Sequence, residues 1–446
     1  MQTMNFSRNQ IIVISGAGFI VLFFILLFLG LIPGLKPSST GGGLPGGSQV
    51  ILNFWGTAEA GGSSAIHSLI DEFLKTNKNV SINYQQFDNA DIYQKTLVNA
   101  LATGQGPDIF MFRSNWLVKH YNKVSPLPDS ALVLSQLRQL FPQVVEQDFV
   151  ISQKTPDQTQ TVSKIYALPL YIDTLALIYN KDIFDASSVA LAPKTWLDFQ
   201  NLIPKLKQTN ILNQISRSAA AIGGSNISID SASDLLNLLM LQFGSQFANL
   251  SGEINFGHEG LSAFNFYLQF ADPNSQYYTW NDNLNSSLNS FSQGQAAMIF
   301  NYASSLPLIK QKNPYLNIGV SPMLQFNLSQ PVNFADYWGL SVSNQSRQQN
   351  LSWQFILAAT ANSQISEAYL QAAKKPAALR TLIEKYKNDP DFGIFVSQAL
   401  TSRSWQQPDS NTVKQSFSDM IQSVLNGRLN SQQALNQAQN QINQSK

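Results

Sequence analysis

The sequence contains no cysteine, which excludes a disulfide framework, a thiolate metal site and a lipid-modified cysteine. It is also poor in charge. Asp, Glu, Lys and Arg make up 12% of residues, about half the usual share, and Asn, Gln and Ser take their place on the expected surface. The 28 basic and 27 acidic residues leave a net charge of +1 and form no basic stripe, so nucleic acid is not an expected partner. Only three histidines occur, His67, His120 and His258, and none has metal-ligand spacing. There is no G-x-S-x-G elbow, P-loop or H-E-x-x-H, and no metal or cofactor is expected. With 44% hydrophobic residues and aromatics throughout, the composition is not that of a disordered chain.

What stands out instead is an uncharged apolar run of 25 residues from Ile11 to Leu35. As a helix it would be about 37 Å long, against a hydrocarbon core of roughly 30 Å. A signal peptide has a shorter apolar region ending in a small-residue cleavage site, whereas this run exits through Gly30-Leu-Ile-Pro-Gly-Leu. The expectation is an uncleaved single-pass anchor over 11–35, with residues 1–10 a cytoplasmic tail and 36–48 a flexible Gly/Pro linker. The rest would be exported. Gly41-x-Gly43-x-x-Gly46 in the linker matches the dinucleotide fingerprint only formally, because no strand precedes it and no helix follows at once.

The exported part is too long for one core, so two domains are expected. Short β-branched or aromatic runs alternate with helical stretches: strands at 50–55, 80–87 and 108–112, helices at 63–75 and 91–102. That pattern predicts strand–helix–strand units and a largely parallel sheet. A long apolar run over 166–180 exceeds a normal strand and is expected to bend or to cross between domains. Thr195 and Asp198 form a capping-box-like start to a helix. Further helices are expected near 233–243, 261–270, 284–291, 352–361, 377–386 and 413–425, with strands near 296–302, 318–323 and 337–343. Trp196, Trp280 and Trp353 read as structural.

Ligands in open α/β sheets sit beyond the carboxyl ends of the strands. Trp55 and Glu59 follow the first strand here, and Phe112, Arg113, Asn115 and Trp116 the third. Aromatic platforms beside paired hydrogen-bonding groups suit sugars, which present apolar C–H faces and rings of hydroxyls. Trp55 could equally cap a core, Phe112 could continue into one, and Arg113 and Trp116 could form a solvated face. Asp173 is the only charge between Ile165 and Asn180, so it needs a partner or a ligand. Tyr171 shares its face of an extended segment.

Trp55 ending the first strand, Gly104-Gln-Gly-Pro-Asp-Ile-Phe, Tyr166-Ala-Leu-Pro with Ile178-Tyr-Asn-Lys-Asp-Ile-Phe, Pro193-Lys-Thr-Trp, and Phe291-Ser-Gln-Gly-Gln-Ala-Ala-Met298 occur in this order. Together they resemble the extracellular solute-binding proteins of ABC sugar importers, the maltose-binding-protein-like family, over essentially all of the chain from Val50. The resemblance implies an α/β two-lobed flytrap of the periplasmic-binding-protein fold, a monomer that binds a carbohydrate between its lobes and delivers it to ABC permease subunits. It places interlobe crossings near Ile172–Leu175, Trp338–Ser341 and Lys374–Pro376, giving lobe one as 49–171 plus 340–373 and lobe two as 175–337 plus 378–446. It also implies ligand contacts at Phe112 and at Asn115, where the family has a carboxylate, and a sugar-binding carboxylate at Asp173. Asn301 and Tyr302 match a ligand-adjacent turn. Asp336 and Trp338 fall by the second crossing, and Arg403 and Trp405 in a cleft-facing loop.

Two other classes fit the residues less well. An exported glycosidase needs two carboxylates, for which Glu59 with Asp173 is the pair to propose. A surface adhesion module would share the low charge and the Asn/Gln richness.

Overall fold

The computed structural model describes residues 49–154, 161–249 and 252–445, and Gln49–Lys446 forms one folded unit. The proposed tail, membrane segment and linker lie outside the described residues. Among the described residues no helix is long and apolar enough to cross a membrane.

The folded unit has two large hydrophobic cores. The first surrounds a six-stranded sheet in the order Val80–Phe87, Val50–Thr57, Ile109–Arg113, Trp338–Ser343, Val124–Ser125, with Leu168–Pro169 also pairing to Trp338–Ser343. Val50–Thr57 runs parallel to both its neighbours, whereas Trp338–Ser343 returns antiparallel beside Ile109–Arg113. Local chemistry sets these elements. Asn89 caps the helix Ala90–Ala102 by accepting from the Ile92 N–H at 2.9 Å. The Asp108 carboxylate accepts from the Asn53 N–H at 2.9 Å and from the Ser346 hydroxyl at 2.5 Å, which ties the start of the third strand to the first and to the chain beyond Ser343.

The second core wraps a three-stranded sheet in which Met298–Asn301 and Ile318–Ser321 both run antiparallel to Ala176–Asn180. Among the described residues the parallel arrangement expected from the alternation therefore holds for three strands of the first lobe and for the short pair Asn333–Asp336 with Ser402–Arg403. Several helices separate Ala176–Asn180 from Met298–Asn301, and a connection that long leaves the direction of return open. Thr195 and Asp198 form the capping box of the helix Trp196–Leu206, with both reciprocal bonds at 3.1 Å. Trp196, Trp280 and Trp353 are all buried.

The run over 166–180 does cross between cores. Ile172 packs in the first and Leu175 in the second. Between them, Asp173–Thr174 pairs with Asn333–Asp336, which pairs in turn with Ser402–Arg403. The other two crossings differ from the expected positions. Phe334 belongs to the second core but Ala335, Tyr337 and Trp338 to the first, so the second crossing precedes Trp338. Residues beyond Pro376 stay with the first core through Leu382, Ile383, Val396 and Ala399, and the second core resumes with Trp405 and Val413. Arg380 holds them there by donating to the Phe141 carbonyl at 2.9 Å.

Candidate functional site

The two cores face each other across a cleft of about 730 Å³. Its first-lobe wall is the short turn Ala58–Ala60 that ends the first strand. Glu59 projects from this turn and accepts from the Trp338 indole N–H at 3.3 Å. The turn is held by Tyr369, whose hydroxyl donates to the Ala60 carbonyl, and by Gly61 at φ +121°, where an added Cβ would stand 2.4 Å from that of Ala373. Gly61→Ala combines strained backbone with a clash and is expected to cost about 2–4 kcal/mol of stability, measurable by urea unfolding.

The floor consists of the crossings themselves. Arg113, at the end of the third strand, forks onto Asp336 with bonds of 2.9 and 2.5 Å and lies 5.7 Å from the Trp338 ring centroid. Burial works against the Arg113 charge, but Asp336 facing it holds the guanidinium protonated, above its ordinary range. Behind this pair, Trp338 packs edge-on against Trp116 and Tyr93 at 5.1 and 5.8 Å. Lys375, on the segment after the helix Ser363–Ala373, lies over the Tyr171 ring at 4.9 Å. Burial lowers its pKa and Asp173 opposes that shift.

Asp173 is 2% exposed. Its carboxylate accepts three backbone N–H bonds, from Thr174 at 3.0 Å, Ala303 at 2.9 Å and Ser304 at 3.0 Å. Burial nevertheless pushes its pKa up to about 6, with Lys375 and those N–H groups pulling the other way. Asp173 therefore clamps the turn after Met298–Asn301 onto the crossing segment while lining the cleft.

A smaller chamber of about 60 Å³ adjoins the cleft through Asp230 and Asp336. Two carboxylates in it sit well above their ordinary range. Burial takes Asp148 to about 7 against bonds from Ser404 and from the Tyr337 hydroxyl at 2.6 Å. Burial and the nearby Asp336 take Asp234 to about 6, although the Tyr302 hydroxyl donates to it at 2.9 Å.

Of the residues singled out from the sequence, Glu59, Tyr171, Asp173, Asn301, Asp336 and Trp338 line the main cleft. Arg113, Asn115 and Trp405 line the small chamber, where Trp405 is itself tied to Asn237 at 2.8 Å and stacked on Phe247 at 4.7 Å. Tyr302 reaches the site only through Asp234. The structure does not bring the other four to these walls. Phe112 and Trp116 are buried in the first core, Trp55 packs on Phe87 at 5.5 Å, and Arg403 donates to the Ser402 carbonyl at 3.0 Å. Sequence reasoning missed Lys375, Lys312 and Asp230 in the cleft and Asp148 and Asp234 in the chamber. Lys375 carried the one available signal, since it lies in a segment expected to cross between lobes.

A family model described as bacterial extracellular solute-binding protein matches residues 57–365. The chain belongs to that family. This solute-binding protein is 24% identical over 165 residues to the maltotriose-binding protein of Pyrococcus abyssi (strain GE5 / Orsay), a match covering 37% of this chain and 32% of that relative. The aligned part thus spans about a third of the relative's length. Among solved structures, the sugar-binding protein MalE from Xanthomonas citri is similar with a TM-score of 0.71 at 16% identity, over 89% of this chain and 97% of that one. An ABC transporter solute-binding protein from Thermotoga lettingae TMO, bound with alpha-D-tagatose, gives a TM-score of 0.68 at 20% identity, over 89% and 99% of the two chains. At these identities the likeness establishes the two-lobed fold of the solute-binding protein.

Proposed function

We propose that this solute-binding protein captures a carbohydrate, most simply an oligosaccharide, between its lobes outside the cell and delivers it to the permease subunits of an ABC importer. The N-terminal apolar segment would tether it to the same membrane, raising its concentration near the permease. The observation that carries the reading is the cleft between two separately cored lobes. Its walls combine carboxylates, carboxamides and ammonium groups, the acceptors and donors that hydroxyl groups pair with. Relatives that bind maltotriose or tagatose support the same ligand class.

The lobes would open and close about the three crossings, and ligand would favour the closed form only through contacts made by both lobes at once. Glu59 and Trp338 reach the cleft from the first lobe, Asn289, Asn301 and Ser304 from the second. Hydrolysis is disfavoured by the bonding of Asp173. Three N–H donors hold its carboxylate, which makes it a poor partner for Glu59 in a two-carboxylate mechanism.

A thermal-shift panel of mono- and oligosaccharides tests the reading, because a ligand that binds the folded state at 100 times its Kd adds about 2.7 kcal/mol of stability. The binding sugar should also shrink the radius of gyration in small-angle scattering and be recovered unchanged. A panel with no shift, or a hydrolysed sugar, overturns it.

A further inference from the structure

Beyond the small chamber, which shares Arg113, Asn226, Asn411 and Lys414 with it, lies a second compartment of about 680 Å³. The helix Ala90–Ala102 and the turn Leu117–His120 wall it on the first lobe, and the helix Ser410–Leu425 on the second. The two compartments differ in charge. The main cleft presents Glu59, Asp173, Asp230 and Asp336 against Lys312 and Lys375. The second presents Lys95, Lys119, Lys414 and Arg113 against Asp91 alone. Two of those cations already have partners, Arg113 in Asp336 and Lys119 in Asp409. Lys95 and Lys414 form no ion pair among the described residues, although the charge of Lys414 is felt by the buried Asp234. In a chain with 12% charged residues, this sorting of sign between neighbouring compartments is a specific feature of the cleft.

His120 reflects the same field. Its ring stands on the wall of the second compartment, is 6% exposed, and has no hydrogen-bond partner at either nitrogen. Burial, reinforced by Lys123 and Lys119, lowers its pKa to about 4, so the imidazole sits neutral in a positive field. Both ring nitrogens are closed off from the compartment, so the demand for a ligand comes from the four cations of its walls, which oxygen acceptors bearing negative charge satisfy. The carboxamides of Gln94, Asn226 and Asn411 on the same walls can bond the hydroxyls around such a group.

We propose that this second compartment is a subsite for an anionic group, a carboxylate, sulfate or phosphate, carried by the captured sugar. The inference rests on the carbohydrate reading and adds the charge of the ligand to it. Neutral hydroxyls would occupy the main cleft, and the acidic substituent would lie beyond Arg113, bridging Lys95 on one lobe and Lys414 on the other. An anion that joins the lobes in this way favours closure, since it binds the closed form better than the open one.

Calorimetry on the full chain with matched trisaccharides that differ only in oxidation at C6, in the galacto, gluco and manno series, tests the assignment. In at least one series the uronate is expected to bind tenfold or more tightly than its neutral counterpart in 50 mM salt. The gap should shrink as salt rises, and Lys95→Gln with Lys414→Gln should abolish it while Lys95→Arg with Lys414→Arg retains it. If the neutral sugar binds as tightly as its uronate in every series, or the glutamine pair keeps the preference, the subsite is wrong and the carbohydrate reading stands. If no sugar of any pair binds, both fall. Inorganic phosphate alone forms a further arm: stabilisation that requires Lys95 and Lys414, with no preference for any uronate, overturns the sugar-borne anion in favour of a free ion.

Discussion

Asp173→Ala is expected to destabilise the protein by about 3 kcal/mol and to weaken sugar binding at least tenfold, about 1.4 kcal/mol. The first effect follows from the three N–H groups that the carboxylate satisfies. Those of Thr174 and Ala303 lie in buried surroundings and that of Ser304 in a partly buried one, and each buried donor left without an acceptor costs about 1–3 kcal/mol. The sum is reduced because Asp173 itself opposes folding when charged, as its raised pKa of about 6 records, and because water can reach the Ser304 side. The second effect follows from where those donors sit. Ala303 and Ser304 begin the turn that carries Ser304 and Ser305 to the cleft wall, and Asp173 pairs with Asp336 on the crossing strand. Without the carboxylate, the turn and the crossing lose their common anchor and the two walls no longer meet in a fixed register. Asp173→Asn keeps one acceptor oxygen and should lose less on both counts. Urea unfolding and calorimetry separate the effects, and an alanine variant as stable as the parent would refute the clamp.

The parts of this fold that were legible in the sequence are those written locally. The cap at Thr195 and Asp198, the strand over 80–87 and the buried Trp196, Trp280 and Trp353 all follow from short-range pattern. Phe112 could be read either way, and Trp116, beyond the end of its strand, carried no mark of burial. A strand covered on both faces buries both parities of its side chains, so alternation cannot tell a cleft-facing ring from a core-facing one. The motif around Asp108 marks the start of the third strand, where its carboxylate holds strands together. The crossing after Pro376 was misplaced for a similar reason, because Leu382 and Ile383 carry no mark of which of two hydrophobic cores will take them.

The same limit applies to the site. Its charged groups come from segments far apart in the chain: Arg113 from a strand end, Asp234 from the helix Ala232–Phe243, Asp336 from the second crossing and Lys375 from the segment after the helix Ser363–Ala373. No spacing rule links them. The sequence reading weighted aromatic platforms, whereas Tyr171 and Trp338 are nearly buried and the cleft wall mixes carboxylates and ammonium groups with carboxamides, hydroxyls and the exposed Leu308. The aromatics set the floor on which the ion pairs stand, as the contacts of Trp338 with Trp116, Tyr93 and the Arg113 guanidinium illustrate. A chain so sparing of charge elsewhere has concentrated carboxylates where the lobes meet, and that has a consequence for its response to pH.

Between about pH 4.5 and 7.5 the melting temperature is expected to fall as pH rises, opposite to the usual trend. Asp173 and Asp234 titrate at about 6 in the folded protein and Asp148 at about 7, whereas unfolded aspartates titrate near 4. Across this window the folded state holds more protons than the unfolded state, so stability declines with rising pH. His120 acts in the other direction. Its folded pKa of about 4 lies below the unfolded value near 6.5, which adds stability as pH rises through the same range. Three carboxyls outweigh one imidazole, and near pH 7 only Asp148 is still titrating among the four. Carboxylates with lowered pKa, Asp409 beside Lys119 and Glu146 beside Arg138, contribute stability that is lost only as pH drops through their own lower values. The stability maximum should therefore lie near pH 4–5. Calorimetric scans at constant ionic strength test this directly. Asp148→Asn, whose amide oxygen can still accept from Tyr337 or Ser404, should make the decline shallower across the whole window and largely remove it above about pH 6.5. A melting temperature that climbs steadily to neutral pH in the parent protein would mean that these carboxyls are not held protonated between the lobes.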